Sequence, residues 1–258
     1  MTRYSFLVQY LGKNYAGSQI QFEEDGTERP IPTIQGELEK AICTLKRVQR
    51  TPNNPRPIKT VFSGRTDAGV NSVGQTVHVD FDEQIVASRF IRSINGLLPK
   101  DISISDVVEV PETFHAQKSA KSRQYRYVFL NRSQRQAFDG ELLRVRHELN
   151  IERMNNALKY LEGYHDFTSF RNNGSSNPYT DCEVYQASCV RNEDMVVVDI
   201  IANRFLYNMV RIIIGTLLEI ERTNKSPEHM LEVLKAKDRT KAGETVTPVG
   251  LTLLKVEY

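Results

Sequence analysis

The sequence predicts an α+β protein made of two halves joined across a central cleft, each a largely antiparallel sheet with helices on one face. Three patterns predict it. Gln75 to Asp82 alternates strictly, with Val77, Val79 and Phe81 on one side and Thr76, His78 and Asp80 on the other, which is the signature of a half-buried strand. Ile34, Leu38, Ile42 and Leu45 recur at helical spacing. Thr180 to Val190 and Met195 to Asn203 are two strand-like runs around a polar turn at Arg191 to Asp194, so they pair as a hairpin. Each half mixes strands with helices, and the halves are expected at residues 1–111 and 112–258.

In chain order, Tyr4 to Tyr10 reads as a strand, Gly12 to Gly17 as a loop and Phe22 to Pro32 as a polar, acidic loop. Thr33 is placed to cap the helix that begins at Ile34. Arg50 to Lys59, with three prolines and two asparagines, is a surface loop. Val61 and Phe62 are a short strand, and Ala87 to Leu97 a helix stopped by Gly96 and Pro99. Ile102 to Val110 is a strand, Pro111 to Ala116 a crossover between halves, and Ser119 to Leu130 a strand with Arg123, Tyr125, Tyr127 and Phe129 on one face. Ile151 to Leu161 is a helix, and the Asn-, Gly- and Ser-rich stretch Phe170 to Thr180 a loop. Leu206 to Glu221 is a long helix. A further helix has Ser226 as N-cap and Pro227 at its first position and runs to Ala236. Leu251 to Val256 closes the chain as a strand.

Composition removes several classes of function. The 258 residues are 40% hydrophobic and 26% charged, ordinary for a soluble globular protein. The net charge of +2 does not by itself announce a nucleic-acid partner, so the distribution of charge decides. Cys43, Cys182 and Cys189 form neither a paired framework nor a zinc pattern, and the five histidines have no ligand spacing, so no metal is expected. A reducing, cytoplasmic setting fits. The N-terminus lacks a signal-type apolar region, and the longest apolar run, Ile212 to Ile220, is too short to span a bilayer.

Three places carry chemistry. In Gly64-Arg65-Thr66-Asp67-Ala68-Gly69-Val70, a carboxylate follows an arginine by two residues inside a glycine-bounded loop between two strands. Arg65 can favour the ionised form of Asp67, making it a candidate nucleophile or base. The alternative is a turn with a solvated Arg–Asp pair. Lys118, Lys121, Arg123, Arg126, Arg132 and Arg135 form a basic run interleaved with Tyr125, Tyr127 and Phe129. Cations that hold phosphates and aromatic faces that stack on bases suit a single-stranded or flipped nucleotide. A basic strand edge that discourages aggregation is the alternative. Finally, Arg211 lies off the apolar stripe Leu206, Met209, Val210, Ile213, Leu217, Ile220, beside Ile214 and Leu218. An arginine so flanked calls for an anionic partner: Asp67, an RNA phosphate or, favoured by frequency, a structural carboxylate.

These residues resemble the tRNA pseudouridine synthase A family. The loop from Gly64 to Val70, followed by Gly74-Gln75 and Val77-His78, is similar to its catalytic segment. Thr33 to Glu39, Phe114-His115-Ala116, Arg123 to Tyr127, His165 to Phe170, Met209-Val210-Arg211, Lys237 to Thr240 with Ala242-Gly243, and Gly250-Leu251 match further segments in order. The resemblance implies an isomerase that converts uridine to pseudouridine in the anticodon stem-loop of tRNA, at positions 38, 39 and 40. It implies Asp67 as the catalytic aspartate and Arg65 as the neighbour that helps extrude the base. It also implies Tyr125 against the target uracil, Arg211 as partner of the Asp67 carboxylate, and a homodimer with no metal and no organic cofactor. Lys121 and Arg123 are the expected substrate-binding cations of the basic strand. The sequence departs from the family at Asn71, where His is usual, at Ser18, where many members have Trp, and in a longer loop at Arg50 to Lys59. An idle RNA-binding module would not need Asp67, and a hydrolase would need a second acid, a His partner or a metal set. Whether Asp67 attacks the sugar C1′, adds to the base or removes the 2′ proton stays open.

Overall fold

A computed structural model of the chain describes residues 1–24, 26–51, 53–172, 174 and 178–258. In order, the elements are β1 (Thr2–Tyr10), α1 (Ile34–Lys46), β2 (Val61–Phe62), β3 (Asn71–Phe81), α2 (Ala87–Leu97), β4 (Ile102–Val110), β5 (Ser122–Asn131) and β6 (Arg144–Val145). They continue with α3 (Ile151–Lys159), β7 (Gly163–Asp166), β8 (Asp181–Asn192), β9 (Met195–Ala202), α4 (Met209–Arg222), α5 (His229–Ala236) and β10 (Leu251–Glu257). The fold is α+β with mostly antiparallel strand pairing. The chain divides into two compact units, residues 1–121 with 253–258, and residues 122–252. Residues 112–121 group with the first unit because they are bonded to it. Arg3 Nη1 donates to the Glu112 and Phe114 carbonyls, Lys121 N to Glu257 O, and the Tyr258 hydroxyl to Ala116 O.

In the first unit the strands lie in the order β4-β1-β3-β10, with β2 also on β3. Phe6 stands opposite Val77 on β3, and Val8 opposite Ile104 on β4. The inward residues Tyr4, Phe6, Val8, Val77, Val79 and Ile104 form one core with Ile34, Leu38 and Ile42 of α1 and Phe90 and Ile94 of α2. Each such side chain, once fully buried, contributes about 1.5–3 kcal/mol. The start of α1 has its otherwise orphan N–H groups satisfied. Ile34 N donates to Gly17 O, Gln35 N to Ser18 O, and Gly36 N to the Thr33 hydroxyl, so Thr33 is the cap the sequence predicts. The second face of β3 is only partly solvated, contrary to the simple alternation: Asp80 is exposed, but Thr76 and His78 are not. His78 is buried under the segment after β4, Ala116 N donating to its Nδ1 at 3.1 Å, and Thr76 is buried on the same face.

In the second unit the order is β5-β9-β8-β7, antiparallel throughout, and β6 runs parallel to the end of β5. Tyr127, Phe129, Val196, Val198, Ile200, Cys182, Val184 and Cys189 are among its buried strand residues. Helix α3 packs on β8, and α3, α4 and α5 pack on one another. The buried Glu221 of α4 takes a bidentate ion pair from Arg153 of α3 and the Asn150 N–H, a satisfied charge that the sequence did not announce. Helix α4 is buried nearly all round, Ile212 and Ile214 included. A Cβ on Gly215 would collide with the Glu244 carbonyl of the segment that crosses it, so only glycine fits.

Several boundaries differ from expectation for local reasons. Helix α4 starts at Met209, because Asn208 holds φ at +62° and ends the preceding turn at Leu206 to Asn208. Helix α5 starts at His229. Ser226 and Pro227 form a three-residue-spaced turn through their carbonyls, to His229 N and Met230 N. Gly96 lies inside α2 rather than stopping it, and α3 ends at Lys159. The short strands β6 and β7 were not foreseen. The loops expected at 22–32, 50–59 and 170–180 include positions 25, 52, 173 and 175–177, which lie outside the described residues.

Candidate active site

Pairing of Val61 with His78 and Phe62 with Val77 makes β2 and β3 the arms of a hairpin, with residues 63–70 at its end. That end is fixed by polar groups. Thr66 is buried, its N–H donates to Ser18 Oγ at 2.8 Å, and its carbonyl accepts from Ser18 N at 3.1 Å. The Thr66 hydroxyl shares a hydrogen bond with the Tyr10 hydroxyl at 2.8 Å. The buried Gln75 donates to the Gly64 carbonyl at 2.9 Å and accepts from the Ser63 hydroxyl. Val70 N closes the turn onto the Asp67 carbonyl at 3.2 Å, and Asn71 Oδ1 accepts from Gly12 N at 2.9 Å. Gly17 makes the close approach possible. Its φ is +121°, and a Cβ there would stand 2.8 Å from the Thr66 carbonyl. Burial pushes the Tyr10 hydroxyl up to about 12, so it serves as a neutral hydrogen-bonding group. Within this frame Asp67 is half-buried, while Arg65 and Ala68 are exposed. The structure thus places Arg65 and Asp67 on one loop, with the arginine facing solvent. Lys121 is exposed in the same unit.

Tyr125, Arg123 and Arg211 belong to the second unit. The half-buried Tyr125 ring meets Phe205 edge-on, with centroids 4.9 Å apart and planes at 78°. Arg123 donates to the Asn203 carbonyl at 2.6 Å. The rest of the basic, aromatic strand is reassigned. Tyr127 and Phe129 are core residues with no exposure, and the Tyr127 hydroxyl donates to Thr247 O at 2.8 Å, so neither ring is available to stack on a base. Arg126 is paired bidentately with Asp199 at 2.9 and 2.8 Å, and Arg132 is paired with Asp139 and Asp194. Their charges are spent on the fold, while Lys118, Lys121 and Arg135 are exposed.

Arg211 has two described partners within its own unit. Its Nε donates to the Val246 carbonyl at 2.7 Å and its Nη1 to Asn208 Oδ1 at 2.6 Å. Both of these partners are neutral, and neither is the structural carboxylate that frequency favoured. Sequence reasoning did not single out Tyr10, Ser18, Thr66 and Gln75 as supports of the loop, or Phe205 as the neighbour of Tyr125. The one usable signal was polar residues on strand faces that must be buried, such as Gln75 beside Val77.

Among the described residues no helix is long and apolar enough to cross a membrane. A family model described as tRNA pseudouridine synthase matches residues 157–258, and a second, described as an uncharacterized protein conserved in bacteria, matches residues 54–197. A tRNA pseudouridine synthase A of a Thermoanaerobacter species is 37% identical over 259 residues, covering 100% of both chains. The protein of that name from Moorella thermoacetica is 40% identical and covers 97% of each. That of Buchnera aphidicola is 38% identical over 97% of this chain and 89% of its own.

Proposed function

Since the chain belongs to the tRNA pseudouridine synthase A family, isomerases that convert uridine to pseudouridine in tRNA, we propose that Asp67 is its catalytic aspartate. The observation that carries this reading is the fixed loop. Asp67 is the one acidic residue between Gly64 and Val70, and the backbone on both sides of it is tied to buried polar groups. A reacting carboxylate needs such preorganisation, because a group held in position meets its target without first losing freedom.

The reaction breaks the C1′–N1 bond, turns the uracil and forms C1′–C5. Atoms and oxidation level are conserved, so the chemistry requires no redox cofactor. The target base must first leave its stack, at a cost of a few kcal/mol. In this proposal the exposed Arg65 enters the stem and supports the extruded nucleotide. Tyr125, held by Phe205, packs on the uracil. Arg211 brings a positive charge to the reacting centre, and Lys121 and Arg123 hold backbone phosphates. The substrates are uridines at positions 38, 39 and 40 of the tRNA anticodon stem-loop, the enzyme is a cytoplasmic homodimer, and the two compact units serve as its two domains.

Asp67→Asn tests the central assignment. It keeps size and hydrogen bonding and removes the negative charge. The expected result is tRNA binding close to wild type with no pseudouridine formed. Substantial residual turnover would refute the role.

A further inference from the structure

We propose that Ser18 is a positioning residue for the isomerisation, acting through Thr66 to aim Asp67. The proposal rests on the reading of Asp67 as the reacting carboxylate. Ser18 is fully buried and 48 residues distant in sequence from its partner. It holds both peptide planes that flank Thr66. Its Oγ accepts from Thr66 N, which belongs to the plane before Thr66, and its N–H donates to Thr66 O, which belongs to the plane carrying the Asp67 nitrogen. With Asp67 O bound by Val70 N, the main chain around Asp67 has little freedom, which restricts the rotamers open to its side chain.

Ser18 is itself anchored. Its carbonyl accepts from Gln35 N and the adjoining Gly17 carbonyl from Ile34 N, so the first turn of α1 grips the segment from behind. Gln35 grips twice more, its Oε1 accepting from Ile20 N and its Nε2 donating to the Thr60 carbonyl just ahead of β2. A continuous path of hydrogen bonds therefore runs from the N-terminus of α1 through Ser18 to the residue preceding Asp67. Of the links from Ser18 to Thr66, the one through the Ser18 hydroxyl is the one a side-chain substitution can delete. Without it the 65–66 peptide N–H loses its acceptor in a place without water access, and the loop must shift to find another.

The test compares full-length Ser18→Ala, Ser18→Thr and Asp67→Asn in single-turnover pseudouridine formation with enzyme saturating, alongside tRNA affinity and thermal midpoint. Ser18→Ala is expected to slow the chemical step about ten- to a hundred-fold, the scale of a misplaced reacting group, with tRNA affinity unchanged. Ser18→Thr, which restores the hydroxyl, is expected to recover most of the rate. If Ser18→Ala does not fold, Ser18→Cys, of similar volume and a poor acceptor, is read in its place. A normal rate beside an inactive Asp67→Asn overturns the latch alone. So does a rate loss matched by an equal loss of tRNA affinity, which marks a merely structural role. Turnover by Asp67→Asn removes the premise instead.

Discussion

His78 makes the stability of the first unit depend on pH in a window that can be worked out. The ring is buried on β3, its Nδ1 accepts from Ala116 N, and it meets His115 at a centroid distance of 5.1 Å. Burial first, then the nearby Arg3 and His115 charges, push it down to about 4 from an ordinary 6.5, against a smaller opposing pull from Asp80. The unfolded chain therefore binds the proton that the folded one refuses. Stability is fully present above pH 6.5, falls as pH drops towards 4, and levels off below. The linkage relation gives a loss of about 2 kcal/mol by pH 5 and about 3 kcal/mol at the acid limit. His78→Asn keeps an acceptor near Ala116 but does not titrate. Urea unfolding of both proteins at pH 7, 6, 5 and 4.5 is the assay. The variant starts lower at pH 7 through poorer packing, but its decline should be shallower than wild type by the amount above. Asp80, held below its usual range first by the hydrogen bond from Arg3, falls in a more acid window and leaves this difference intact. Parallel declines in the two proteins would refute the argument.

Two further outcomes are expected. Replacing Lys121 and Arg123 with Ala should weaken tRNA binding and flatten its salt dependence by roughly one unit of slope for each phosphate that is no longer neutralised. Arg126→Ala, which breaks the Asp199 pair, should instead lower thermal stability and leave the salt slope alone. Tyr125→Phe keeps the ring against Phe205 and should bind tRNA normally. If the hydroxyl passes a proton late in the reaction, the variant turns over at least about a hundred-fold more slowly, and Tyr125→Leu loses both properties. Wild-type single-turnover rates in Tyr125→Phe would leave the ring as its only functional part.

What was legible in the sequence followed the range of the interaction that encodes it. Helix α2 and strand β4 have the bounds that periodicity assigns, because the pattern and the burial that creates it lie in the same residues. The start of α1 was legible because a threonine cap acts within three residues. Errors collect where a distant segment intervenes. His78 looks like the wet side of a strand until residues 112–121 fold over it. Tyr127 and Phe129 look like a stacking face until the sheet places them in the core, and Arg126 looks like a free cation until β9 brings Asp199 opposite it. The Asp67 loop itself was readable from its glycines and its charge. Its supports were not, since Tyr10, Ser18 and Gln75 reach it across separations of 56, 48 and 11 residues.

Arg211 carries the same reasoning one step further. Frequency favoured a carboxylate beside it, because an arginine among apolar neighbours is costly unless its charge is met. Within its unit the Val246 carbonyl and the Asn208 amide oxygen accept from its Nε and Nη1, neutral groups that fix the orientation of the guanidinium. Both acceptors depend on local irregularity. Asn208 sits in the left-handed region at the mouth of α4, and Val246 follows the segment that crosses Gly215. Neutral dipoles orient a cation without neutralising it, whereas a carboxylate, as Glu221 does for Arg153, also offsets its charge. The two arginines thus separate by their partners: Arg153 of α3 pairs with the buried Glu221 of α4, and Arg211 is oriented within its unit by a carbonyl and an amide.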